Sequence, residues 1–222
     1  MLANFFPNAN MEDIKIATFE TLYMTGISLI GTIVLGILLG LLLFLTDQGN
    51  LWQNRLIHSI TGAVVNIFRA IPFIILILLL IPVTQFLVGT IRGPKAALPA
   101  LIIGAAPFYA RIVEIALKEV SKGVIEAAKS MGAKTRTIIF KVLLSEAMPA
   151  IISGITVTAI MLVGFTAMAG VIGAGGLGDL AYLHGFQRRN YDTLLLCTIL
   201  IIIIVFIIQF IGDTITKMID KR

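Results

Sequence analysis

Charge is what this sequence has least of. Asp, Glu, Lys and Arg make up 13% of its 222 residues, against roughly a quarter in an ordinary soluble domain. With 58% of the chain apolar and a mean hydropathy of +1.01, a soluble fold of this size could not cover its own apolar surface. A cytosolic enzyme, a nucleic-acid module and a disordered chain are excluded together. Cysteine is nearly absent. Cys197 stands alone, so there is no internal disulfide and no redox pair, and it reads as a small apolar core residue. Histidine is also scarce: His58 and His184 lie far apart, no His–carboxylate pair has ligand spacing, and no metal site is expected. A Walker A string is missing, so the chain does not cradle ATP phosphates through that motif.

The charges that remain divide the chain. Between them run uncharged stretches over 21–46, 70–91, 96–110, 147–178 and 193–212. About 20 apolar residues cross the hydrocarbon core as a helix. Four of the runs qualify at once. The third, which holds Pro99 and Pro107, is extended to Leu117 through Arg111 and Glu114, a pair spaced to meet on one helix face near the membrane boundary. The expectation is an all-α integral membrane protein with five transmembrane helices, over 21–46, 70–91, 96–117, 149–172 and 193–212, forming one domain over 1–222. The segment 56–68 is expected as a surface helix leading into the second span, with Arg69 at the interface, because an arginine is costly at mid-bilayer. No Asp or Glu falls inside the uncharged runs, which argues against an ion-coupled carrier and against an intramembrane acid protease.

Five spans put the termini on opposite sides, and Lys and Arg decide which side is which. With the N-terminus outside, 12 of the 17 basic residues face inward, which favours N-out and C-in. The net charge of +5 is therefore a membrane pattern and no nucleic-acid signal. The N-terminal tail carries Glu12, Asp13 and Glu20 against Lys15, and it lacks the basic start and cleavage site of a signal peptide, so the first span is expected to be retained.

Smaller features have bland readings. Gly173, Gly175 and Gly178 match a dinucleotide fingerprint, but the motif needs a strand before it and a βαβ unit around it; an external, flexible turn fits better. Gly36 and Gly40 make a small-xxx-small pair for close helix contact. Met161, Phe165 and Met168 share one helical face. That face is either a packing stripe or the lining of an apolar-tolerant pathway and gate, for which soft methionine is suited.

The polar stretch 111–148, with a loop over 118–148, carries over a third of all charges. A helix over 124–131 is expected to stop at Gly132, and a second, amphipathic helix capped by Thr135 returns to the membrane. It would place Ile138, Val142 and Ser145 on one face, with Ile139, Leu143 and Ala147 beside it. Ala127, Ala128 and Gly132 would let another surface approach, with Glu126 beside them. Residue chemistry leaves two readings open: a docking knob for a cytoplasmic partner, or a loop lying on the headgroups.

The same residues carry a resemblance. Glu126, Ala127 and Ala128, then Gly132 after three residues, then Val142, Leu143, Leu144 and Ser145 after nine more, resemble the signature loop of ABC importer permeases. Ser145 stands where that pattern has proline, and Pro149 follows four residues later as a possible terminator. Further strings resemble the methionine-importer branch: Arg69 to Phe73 (Arg-Ala-Ile-Pro-Phe), Ile81 with Pro82, Val88 to Thr90, Gly173 to Asp179, and Gly185 to Arg188.

The resemblance implies the type I ABC importer permease fold in the bacterial plasma (inner) membrane. It implies a coupling loop of Glu126, Ala127, Ala128, Met131, Gly132 and Ala133 that docks on an ATPase, and no catalytic site or cofactor in this chain, with ATP and Mg on the partner subunit. The implied partners are a second copy of the chain as a homodimer, two ATP-binding subunits, and an extracytoplasmic substrate-binding protein. The implied substrate is methionine, with D-methionine and close analogues; another amino acid or small nutrient is the alternative. Alternating access is the implied mechanism.

Overall fold

In the computed structural model, which describes residues 6–219, the chain is a bundle of α-helices with no strand among those residues. The first helix, α1, spans Met11–Thr46. It starts ten residues before the uncharged run. The Asn10 side chain accepts from the Glu12 amide at 3.0 Å, and Glu12 and Asp13 sit in the first turn, where the helix dipole favours acids. At its other end the loop 47–54 folds back to satisfy the free carbonyls. Asn50 Nδ2 donates to Phe44 O at 2.5 Å, and the Trp52 and Asn54 amides donate to Leu45 and Thr46.

Helix α2 covers Arg55–Ala70, and the Asn54 side chain caps it by accepting from the Leu56 and Ile57 amides. Pro72 ends it, because the residue before a proline is pushed out of the helical region, and Ile71 sits at φ −79°, ψ 123°. Helices α3, Phe73–Leu79, and α4, Ile81–Val88, follow. The run 70–91 is therefore not one helix. It is broken at Ile71–Pro72 and again at Leu80 ahead of Pro82, and α2 and α3 meet at 107°.

Helix α2 is tied to the bundle at both ends. Near its start, His58 Nδ1 is 3.0 Å from Leu43 O and Nε2 is 3.8 Å from Asp47. Near its end, Phe68 and Arg69 line one cavity with Phe108 and Met161, from the middle of neighbouring helices. Helix α2 climbs from the end of α1 into the bundle, burying Thr61 and Val65. Arg69, itself exposed, thus stands beside Phe108 of α5 and Met161 of α7.

Helix α5, Pro94–Lys118, is the axis of the bundle. It carries Pro99 and Pro107 internally. Helix α6, Lys122–Ser130, is short. Helix α7 runs unbroken over Thr135–Val171, with a π-helical turn at Ile138–Leu143 and Pro149 inside it. Pro149 does not terminate the loop helix. Nor does Thr135 cap it: Lys134 holds the cap position, and no side chain bonds there. Helix α8, Gly176–Leu180, continues into a π-helical turn, Ala181–Gln187. Helix α9, Tyr191–Ile219, closes the described chain.

Among the described residues four helices, α1, α5, α7 and α9, are long and apolar enough to cross a membrane, and the bent α2–α3 pair has the length and composition of a fifth, as a broken span or a re-entrant loop. Small residues set their contacts. A Cβ on Gly36 would stand 2.5 Å from Tyr109 Cδ1, and one on Gly40 would stand 2.7 Å from both Ala110 O and Val113 Cβ. The small-xxx-small pair therefore seats α1 on α5. Tyr109 is fully buried and its hydroxyl donates to Ile151 O at 3.3 Å, joining α5 to α7. Helix α9 turns Phe206 and Phe210 outward, as a lipid-facing helix does.

Candidate functional site

Three regions carry the residues singled out from the sequence. The first is the α6–α7 hairpin. Helix α6 ends in a Schellman turn: the Ala133 amide donates to Ala128 O at 3.0 Å and the Gly132 amide to Lys129 O at 2.9 Å. Gly132 holds φ +77°, which an L side chain adopts only at a cost. The turn splits the motif in two. Glu126, Ala127, Met131 and Gly132 are exposed, with Met131 80% accessible, whereas Ala128 is buried and Ala133 half-buried. Ala128 therefore packs inward and offers no surface to another molecule.

What Ala128 packs on matters. It belongs to a core with Phe44 and Leu45 from the end of α1, Val113 and Leu117 from α5, and Ile138, Ile139, Leu143 and Ala147 from α7. The buried face of the second helix is thus the Ile139 side; Val142 is half-buried and Ser145 exposed. One core joins the hairpin to three membrane helices.

Beside it lies an ion cluster of which the sequence showed only half. Glu114 is 1% exposed. It accepts from Arg111 at 2.5 Å and pairs with Lys118 at 2.8 Å, and Lys118 reaches Asp47 at 2.9 Å. The i, i+3 spacing pointed to Arg111 with Glu114. Lys118, one further turn along, was legible by the same rule, but Asp47 came from the fold. The Lys118 hydrogen bond holds the Asp47 carboxyl below its ordinary range.

The second region is a cavity of about 190 Å³ beneath the α2–α3 break. Its walls include Phe68, Arg69, Phe73, Phe108, Met161 and Phe165. Phe73 and Phe165 stack with centroids 4.1 Å apart and planes within 8°. Two of the three residues read as a pathway stripe, Met161 and Phe165, therefore face one cavity. Met168 is 46% exposed and is not among the residues lining it.

The third region is the glycine turn after α7. Gly173, Gly175 and Gly176 all take positive φ, and no strand precedes them. The turn is fastened rather than loose. Glu20 of α1 accepts from the Gly176 amide at 2.7 Å and Thr21 from the Leu177 amide at 2.8 Å. The Gly93 amide donates to Gly173 O at 3.0 Å, so the turn also holds the start of α5. Asp179, part-buried near Glu20, has its carboxyl raised by burial first and by the Glu20 charge second.

Residues 32–222 match the family model described as the binding-protein-dependent transport system inner membrane component. The chain belongs to that family. Among curated relatives of this permease, it is 66% identical over 222 residues, all of both chains, to the methionine import system permease protein MetP of Bacillus subtilis (strain 168). It is 45% identical over 213 residues, 96% of this chain and 95% of the other, to a probable D-methionine transport system permease protein of Vibrio cholerae. Among solved structures, it matches an inward-facing MetNI methionine ABC transporter at TM-score 0.93 and 43% identity, covering 95% of this chain and 98% of that one. An amino acid ABC transporter shares the fold at TM-score 0.77 and 18% identity, over 93% and 94% of the two chains. The permease thus has the ABC importer fold, in a bacterial inner membrane.

Proposed function

We propose that the chain forms the translocation pathway of an ATP-driven methionine importer, working as two copies above two ATP-binding subunits and below an extracytoplasmic binding protein. The relatives named for methionine and D-methionine import support the substrate. The excess of basic residues over 111–148 supports N-out, C-in. In this reading the permease does no chemistry. ATP and Mg²⁺ belong to the ATP-binding subunits, and this chain converts their motion into a change of access.

One observation carries the coupling role: the exposed edge Glu126, Ala127, Met131 and Gly132 stands on a rigid base. Ala128 and the half-buried Ile125 tie α6 to the start of α7, and α7 is continuous from Thr135 to Val171. A push on α6 is carried along that rod to Met161 and Phe165, and through the shared core to the ends of α1 and α5. The test is co-purification with the ATP-binding subunit and methionine uptake in vesicles. Glu126→Lys and Gly132→Trp are expected to lose both while the permease still inserts. Normal uptake by both variants would sink the docking assignment.

A further inference from the structure

Arg69 is a cation without a carboxylate. It makes no ion pair and no side-chain hydrogen bond among the described residues, whereas Arg111 and Lys118 of α5 both reach Glu114. The sequence explains why: no Asp or Glu occurs between Asp47 and Glu114, nor between Glu146 and Asp179. Every helix that walls the cavity lacks an acid at that level. An ionisable side chain that lines a cavity among membrane helices is a candidate for a ligand, a relay or a water-filled path. Of the residues lining the cavity, Arg69 is also the one that is exposed; the rest are buried or half-buried.

The rest of the cavity complements an apolar group. Phe73 and Phe165 form a stacked wall, and Phe108 and Met161 add polarizable surface. Aromatic faces and a methionine sulfur suit a thioether chain. At about 190 Å³ the space is below the roughly 300 Å³ at which pockets for larger ligands begin, so one small molecule fills it. Gly104 lines it too, and a Cβ there would stand 3.1 Å from Phe73 Cδ2; the cavity has its width because this position carries no side chain.

We propose that the cavity is a binding station for an amino acid in transit, with Arg69 holding its carboxylate and the Phe73–Phe165 wall with Met161 receiving its apolar side chain. This deepens the importer reading and rests on it. Met161 and Phe165 belong to α7, so the rod that leaves the cytoplasmic hairpin also forms one wall of the station. Movement of that wall relative to α2 would separate the two halves of the ligand's grip, releasing it without a change at Arg69 itself. The alternative role for Arg69 is local: it lies in the last turn of α2, where a cation favours the helix dipole.

The test places a reporter in the cavity. In the assembled complex without binding protein, Phe108→Cys is alkylated by a small thiol reagent; Cys197 is fully buried and stays silent. Methionine at twice its dissociation constant is expected to slow alkylation about threefold by simple occupancy. Methionine amide, which lacks the carboxylate, is expected to give no protection, and adding Arg69→Gln is expected to abolish protection by methionine. Equal protection by acid and amide, or protection that survives Arg69→Gln, overturns the proposal in favour of the local role. If Arg69→Gln does not assemble, the acid–amide comparison on the Arg69 protein decides alone. Methionine uptake by the complete system is measured in parallel. Uptake without protection overturns the station and leaves the importer reading standing, whereas no methionine uptake overturns both.

Discussion

At the scale of single residues, the ion cluster shows how burial ranks its members. Glu114 is buried while Arg111 and Lys118 are 36% and 46% exposed. Neutralising the acid leaves cations that water can solvate. Removing both cations leaves a buried charge alone, which costs about 3–5 kcal/mol. The double variant Arg111→Met, Lys118→Met is therefore expected to lower the thermal midpoint in detergent more than Glu114→Gln, whose loss is about 1–2 kcal/mol. Equal shifts would mean that Glu114 is solvated. Asp179 makes the opposite case. Its carboxyl pKa is raised in the fold, so its contribution to stability is present below the unfolded value and is lost as pH rises through the folded one. Where Asp179 is ionised, the folded protein therefore holds an unfavourable charge, desolvated and beside Glu20. Asp179→Asn is expected to raise the midpoint more at pH 7 than at pH 4; a lower midpoint at pH 7 would show that the carboxylate is instead needed.

At the scale of elements, glycine decides how closely helices approach. Gly40 packs against Ala110 backbone, which cannot swing aside as a side-chain tip can. Gly40→Ala is expected to cost roughly 1–3 kcal/mol by overpacking, read as a lower unfolding midpoint. Gly26 has open space around it, and Gly26→Ala is expected to be neutral or stabilising. Gly132 acts through backbone conformation instead: nothing stands within 4 Å of its Cβ position, yet φ is +77°. Gly132→Ala is expected to cost about 1–2 kcal/mol through the left-handed geometry, loosening the α6 turn while the membrane helices stay intact; faster hydrogen exchange confined to α6 and the turn would show it. The small-xxx-small pair and the Gly132 stop were both readable as spacing. The break at Pro72 was readable in principle, because proline restricts the residue before it, but hydropathy averaged over 70–91 hides it: α3 and α4 are as apolar as a continuous span.

At the scale of the whole molecule, orientation is the open quantity. A cysteine at Met131 is expected to react with an impermeant reagent only from the cytoplasmic side, and one at Arg188 only from outside; the reverse pattern would invert the reading. Membrane class and the candidate spans follow from one-dimensional quantities, the length of apolar runs and the placement of scarce charges, because the bilayer imposes them on any chain. The sequence by itself determined those. Only the tertiary structure decided that Ala128 faces inward, that Asp47 joins Glu114 through Lys118, that Glu20 fastens the glycine turn, and that Arg69 lines an aromatic cavity. Each of these depends on which distant segments lie side by side. Spacing along one helix carries no information about that, and packing of small residues against neighbouring helices supplies it.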